Sequence, residues 1–247
     1  MTADADLTFR ELKGIGEISQ GAHLITQVFG AANGEPVPAD LMMAISLAGG
    51  YVGGAFLNGD LVGAAVGFGE LPGPDDDLPE RAMHSHVAAV SAAARGHRIG
   101  YQLKLHQREW ALDRGIAVVE WTFDPLVRRN ARLNLTLLGA SAVAYLPNLY
   151  GEIPDALNAG QESDRVLVRW DLTSPRAIAA VRGTPREGVG RPVGQTPPDI
   201  ETLLRTDPGA AREWRRNQRA VLQPLLDGGA HRVGLTSDGT YLVQENA

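Results

Sequence analysis

The chain reads as an α+β fold: one central mixed sheet flanked by helices, with a C-terminal helix-plus-hairpin appendage. Three observations predict it. Two apolar runs, 51–57 and 61–68, flank Asn58-Gly59-Asp60, and Asn-Gly accepts the positive φ angles of a tight hairpin turn. Farther on, a helical pattern over 99–114, closed by Gly115, leads into a buried-type strand at 116–123. A second helical pattern follows at 125–138, stopped by Gly139. An antiparallel hairpin followed by helix, strand and helix is the mixed order of an α+β domain.

The remaining elements fall around these. Residues 7–12 form a short first strand, ended by Lys13-Gly14. Over 17–29, Ile18, Leu24, Ile25 and Val28 share one helical face. Residues 38–47 predict a second helix, with Pro38 at its start and Gly49-Gly50 beyond its end. Residues 72–79, with Asp75-Asp76-Asp77, predict a solvated loop, and 84–90 a strand. Two more strands are expected at 142–146 and 165–172. Composition then shifts: 174–198 carries five prolines, which predicts a partly extended connector. A helix over 207–226 and a hairpin around Ser237-Asp238-Gly239 complete the chain. The expected division is a domain at 1–172 and an appendage at 173–247, whose removal should leave the first folded but inactive.

Bulk composition excludes several classes. Net charge is −6 with a pI of about 5.5, against the basic footprint of a nucleic-acid binder. There is no cysteine, hence no disulfide, thiolate metal site or cysteine nucleophile. The acidic start lacks a basic and apolar leader, and no uncharged apolar run approaches the ~18 residues of a membrane span. A cytoplasmic protein without nucleic-acid or membrane partners is expected.

The informative stretch runs from His84 to Gly100: His-Ser-His-Val-Ala-Ala-Val-Ser-Ala-Ala-Ala-Arg-Gly-His-Arg-Ile-Gly. It is a strand, a short loop with Gly96 and Gly100, and a helix start. The first amides of a helix lack intrahelical partners and carry partial positive charge, and small residues let an anion reach them. A diphosphate suits such a turn, although glycine near a helix start is also ordinary punctuation. The Gly-Lys-Ser/Thr ending of the nucleotide P-loop is absent, and the preceding hairpin is foreign to the βαβ dinucleotide fingerprint.

These residues resemble motif A of the GNAT N-acetyltransferases, in which a strand ends in Val and Arg/Gln-x-x-Gly-x-Gly/Ala opens a helix. Val90, Arg95, Gly96, Ile99 and Gly100 fall in that register, while Arg98 stands where the family has its middle glycine. Motif B is half present. Ala131 and Leu138-Gly139 match, but Arg128, Asn134 and Leu135 replace Asn, Leu and Tyr. The resemblance covers about residues 7–172. It implies a GNAT fold and acetyl-CoA, or another acyl-CoA, as co-substrate without a metal. CoA would be held by Ala88, Val90, Arg95, Gly96, His97, Arg98, Ile99, Gly100 and Tyr101, with Asn130 near the pantetheine. The acceptor would be a small-molecule amine, and a second copy of the chain is a candidate partner.

An alkylamine has a pKa of about 10.4 and must be neutral to attack, so a base is useful. His84 and His86, at i and i+2 of a strand, share a face and are largely neutral at pH 7. Arylalkylamine N-acetyltransferases carry a similar His-x-His before motif A, which implies proton relay. The same spacing suits two satisfied, partly buried histidines; zinc would need a third ligand, and none lies nearby. Tyr145, with Tyr150 beside it, is the candidate acid for the leaving thiolate, since Leu135 occupies the family's Tyr position; packing is the other reading. Glu120 and Asp124 read as caps or solvated groups, and Trp110 and Trp121 as core. Arg212, Arg215, Arg216 and Arg219 read as a solvated face. The rival to an enzyme is a non-catalytic acyl-CoA-binding sensor or scaffold.

Overall fold

The computed structural model describes residues 6–30, 35–71, 73, 79, 81–94, 96–151, 161–185, 187–229 and 231–245. Arg95 and the loop aspartates 75–77 lie outside them. The α+β class expected from the sequence is found, and contacts divide the chain into two compact units, Met1–Val119 and Glu120–Ala247.

The first unit is an antiparallel meander with helices on both faces. β1 (Leu7–Glu11), β2 (Tyr51–Leu57), β3 (Asp60–Glu70) and β4 (Ala82–Val90) lie side by side in chain order. The β2–β3 turn uses Asn58 at φ 53° and Gly59 at φ 90°, the paired positive angles that the Asn-Gly dipeptide predicts. α1 (Gly14–Phe29) and α2 (Ala39–Leu47) bury Ile18, Ile25 and Met42 against Val52 and Val66. α3 (Ile99–Leu112) buries Ile99 and Leu103 with Ala55 in a separate cluster. Each such fully buried side chain stabilises the unit by roughly 1.5–3 kcal/mol. α1 starts earlier than the apolar pattern suggests because Glu17 anchors its first turn. Glu17 accepts from the Lys13 amide at 2.7 Å and from Arg10 at 2.7 and 2.8 Å. These bonds, chiefly the one with Arg10, bring its carboxyl down to about 2.

β5 (Val118–Phe123) carries the chain into the second unit, which also contains β6 (Ser141–Leu146) and β7 (Arg165–Asp171), in the order β5-β7-β6. The single helix expected over 125–138 is instead a short α4 (Arg128–Ala131) running into a π-helical turn (Arg132–Leu137). There the Leu138 amide bonds to Leu133 O, and the buried Asn134 side chain accepts from Trp121 Nε1 at 3.2 Å. A buried donor on β5 thus takes the Asn134 amide, and the helix widens by one residue to allow it.

The connector expected at 174–198 is a second correction. It holds α5 (Pro175–Val181), capped by Ser174 Oγ accepting from the Ala177 amide, and β8 (Arg191–Gln195). Ser-Pro is a helix-start signal, and the proline count masked it. The helix expected over 207–226 is found as α7 (Pro208–Asp227), and a short α6 (Ile200–Thr206) precedes it, each capped by the aspartate before it. β9 (His231–Leu235) and β10 (Thr240–Glu245) join β8 in an antiparallel sheet ordered β8-β10-β9.

This tail is packed into the second unit. Leu126 shares a buried cluster with Ile200 and Ala211, and the buried Tyr241 hydroxyl donates to Pro125 O at 2.7 Å. Arg215, only 2% exposed, donates to Asp124 at 2.8 Å, and Arg219 Nε donates to Asp164 at 2.9 Å. The face expected to be solvated is therefore divided: Arg212 and Arg216 are exposed, whereas Arg215 and Arg219 are structural. Asp124 also caps the following turn by accepting from the Leu126 amide, and the buried Glu120 pairs with Arg169. Trp110 and Trp121 are core, as expected.

Candidate functional site

In the first unit, β4 carries both histidines and runs into the glycine turn. Its register against β3 shifts between Val66 and Gly67: Val66 faces Val87, Gly67 faces Ser85, and His86 is the extra residue. Such a bulge re-aims side chains locally. Gly67 leaves room beside it, because a Cβ there would stand only 3.0 Å from His84 O. The His84 and His86 rings lie 6.1 Å apart, and the Phe68 ring lies 5.3 Å from the first and 5.8 Å from the second. Burial, followed by the charges of His86 and Lys104, holds the His84 imidazole below its ordinary range; burial does the same for His86. Both are therefore neutral and able to accept a proton at pH 7.

Beyond Val90, a 3-10 turn (Ala92–Ala94) leads to Gly96 at φ 93° and Arg98 at φ 56°. Arg98 is the N-cap of α3 and makes no side-chain capping bond to its amides. The family's middle glycine thus has a conformational reason here. The position is left-handed, which costs a non-glycine residue about 1–2 kcal/mol; Arg98 adopts it with its guanidinium 4.8 Å over the Tyr101 ring. A Cβ on Gly96 would meet nothing within 4 Å, and one on Gly100 would meet only Val90 Cγ2 at 3.8 Å. The side-chain directions of Gly96 and Gly100 are therefore uncrowded. Gly96, His97 and Arg98 are exposed, as is Ala88 on β4; Ile99 is buried and can offer only its backbone.

Lys104 and Ser85 were not among the expected site residues. Lys104, 6% exposed, donates to Ser85 Oγ at 2.6 Å and to Gln107 Oε1 at 3.1 Å. The signal was present: 104, 107 and 111 share one face of α3, and all three are buried. Burial brings the Lys104 ammonium down to about 7. The free lysine value is about 10.4, so between about pH 7 and pH 10 the unfolded chain holds the proton that the folded chain has released, and stability rises with pH across that window. K104M should abolish this rise in urea unfolding; a rise of the same size in the variant would contradict it.

In the second unit, Tyr145, the expected acid, is buried and already hydrogen-bonded. Its hydroxyl, 3% exposed with its residue, donates to Asp164 Oδ2 at 2.7 Å. Burial and that carboxylate hold its pKa well above the usual tyrosine range. Tyr150 is exposed, with its hydroxyl 3.2 Å from Thr122 Oγ1. Asn130 is half-buried in α4, its amide bonded to Val127 O. Among the described residues, no group of three histidines or acids could hold a metal, and no helix is long and apolar enough to cross a membrane.

No family model and no curated protein matches this sequence. Solved structures do match in fold. The Salmonella typhimurium yncA protein, assigned as an acetyltransferase and solved with its cofactor acetyl-CoA, superposes with a TM-score of 0.54 at 19% identity. The match covers 69% of this chain and 98% of that one. An N-acetyltransferase from Staphylococcus aureus Mu50 gives 0.54 at 17% identity over 68% of this chain and 99% of its own. The ribosomal-protein-S18-alanine N-acetyltransferase of Escherichia coli gives 0.53 at 13%, covering 68% and 96%. The fold of this chain is that of the GNAT acetyltransferases.

Proposed function

We propose that the protein is an acyl-CoA-dependent N-acyltransferase that moves an acetyl group from acetyl-CoA to a small-molecule amine. One observation carries this reading: the neutral His84–His86 pair lies on the strand that ends in the amide turn of α3. The CoA diphosphate would take the amides around Gly96 and Gly100, where no Cβ intrudes. The pantetheine would follow β4 back toward His86, a run of about 13 Å from Val90 at the usual rise per residue. At the thioester, the amine nitrogen bonds to the carbonyl carbon and a histidine nitrogen takes its proton. The tetrahedral intermediate then collapses, breaking the carbon–sulfur bond and releasing CoA thiolate. With Tyr145 committed to Asp164, water is the simplest proton source for that thiolate. One neighbour is named for the alanine of a ribosomal protein; the apolar ring of Phe68 beside both histidines favours a small amine with an apolar body here.

Release of free thiol from acetyl-CoA with a panel of arylalkyl and alkyl amines tests the activity. Binding of CoA without thiol release from any amine would favour a sensor or scaffold instead. The cofactor placement has its own test. Added CoA should raise the melting temperature by mass action, and G100V should remove that shift. The variant itself should stay folded, because the new side chain begins 3.8 Å from Val90. An undiminished CoA shift in G100V would refute the placement.

A further inference from the structure

The second unit holds a cavity that the proposed reaction does not use. Its volume is about 680 Å³, within the range of small-molecule sites. It lies among α5, the segment 187–189 and the β9–β10 hairpin. The approach of these segments depends on two glycines in contact: a Cβ on Gly188 would stand 2.7 Å from Gly234 Cα, and one on Gly234 would stand 2.5 Å from Gly188 Cα.

Its lining is apolar at Ala179, Ala180, Val189 and Val233, and its charges are two arginines, Arg176 and Arg232, against one acid, Glu187. Arg176 Nη2 donates to Leu135 O at 2.7 Å, while its Nη1 is buried with no hydrogen-bond partner among the described residues. A buried N–H left without an acceptor is destabilising, so the site is short of an acceptor. Burial, followed by the like charge of Arg232, pushes the Arg176 guanidinium down from its ordinary range. Arg232 is exposed on β9 and sits opposite Gln244 of β10, which also lines the cavity.

We propose that this cavity is a binding site for a small organic carboxylate with an apolar body. The carboxylate accepts hydrogen bonds from Arg176 and Arg232, a geometry that guanidinium groups favour, and the body lies on Ala179, Val189 and Val233. The assignment is independent of the acyl transfer proposed for the first unit.

Octanoate is the probe, titrated into the full-length protein by calorimetry beside its uncharged counterpart, octanamide. Octanoate should bind saturably and octanamide about tenfold more weakly or worse. R232M, at an exposed position, should weaken octanoate by about tenfold. A179F should block it by filling the cavity while both arginines remain. Circular dichroism checks that each variant is folded, and R176M, which also loses the bond to Leu135 O, is the secondary variant. No octanoate binding, equal binding of octanamide, or unchanged binding in both R232M and A179F would overturn the proposal. Displacement by inorganic phosphate would make this a site for inorganic anions and overturn the class. Loss of octanoate binding under saturating CoA would make it part of that ligand's site and overturn its independence.

Discussion

Changing His84 and His86 together to Gln should lower kcat at pH 7 by about a hundredfold or more and leave the affinity for acetyl-CoA unchanged. The two rings lie within 6.1 Å of each other around Phe68, on the strand leading to the amide turn. Gln keeps their size and hydrogen-bonding capacity but cannot take a proton at these pH values. The pH profile separates a base from a merely structural pair. Both imidazoles are held below their ordinary value, so the native enzyme should lose activity only as pH falls below about 6.5, where they become protonated. In the double variant that acid limb disappears. Activity should instead climb as pH rises toward the amine's own pKa of about 10.4, because the neutral amine then needs no base. Unaltered turnover at pH 7 would remove the pair from the mechanism, and loss of the folded state would make it a packing feature.

Deleting 173–247 should yield a chain that does not fold, against the expectation drawn from composition that this tail is separable. Truncation removes Arg219 from Asp164, whose side chain is fully buried, and Arg215 from Asp124. Burial by itself would push the Asp164 carboxyl up, but hydrogen bonds from Arg219, Tyr145 and the Asn148 amide outweigh it and hold the group below the carboxylate range. Leaving one member of a buried ion pair alone costs about 3–5 kcal/mol. The deletion also exposes Leu126 by removing Ile200 and Ala211, and strips the Tyr241 hydroxyl from Pro125 O. Together these losses rival the roughly 5–15 kcal/mol that holds a typical protein folded. Solubility and far-ultraviolet circular dichroism of the shortened chain measure this directly. A soluble, cooperatively melting product that still binds CoA would restore the view of the tail as an appendage. R219M is the milder companion: it should lower the melting temperature of the full chain while leaving its fold intact.

Local chemistry by itself determined the pieces on which the site is built. The Asn58-Gly59 turn was legible because only a few residues accept two successive positive φ angles. The α1 core face was legible from Ile18, Leu24 and Ile25, which recur at helical spacing and are all buried. The amide turn was legible from Gly96 and Gly100 before a helical pattern, and the histidine pair from i, i+2 spacing on a strand. Only the tertiary structure decided what those side chains meet. The bulge at His86, the Phe68 ring and the Lys104–Ser85 bond depend on which strand and helix lie alongside, information carried by no local window. The partner of Tyr145 is set in the same way: its hydroxyl donates to Asp164, 19 residues away in sequence. The tail shows the same limit most plainly. Five prolines and a row of arginines predict an extended connector and a wet face, because composition averages over partners. Asp124 and Asp164 turn two of those arginines inward, since a buried carboxylate is stable only with a cation beside it.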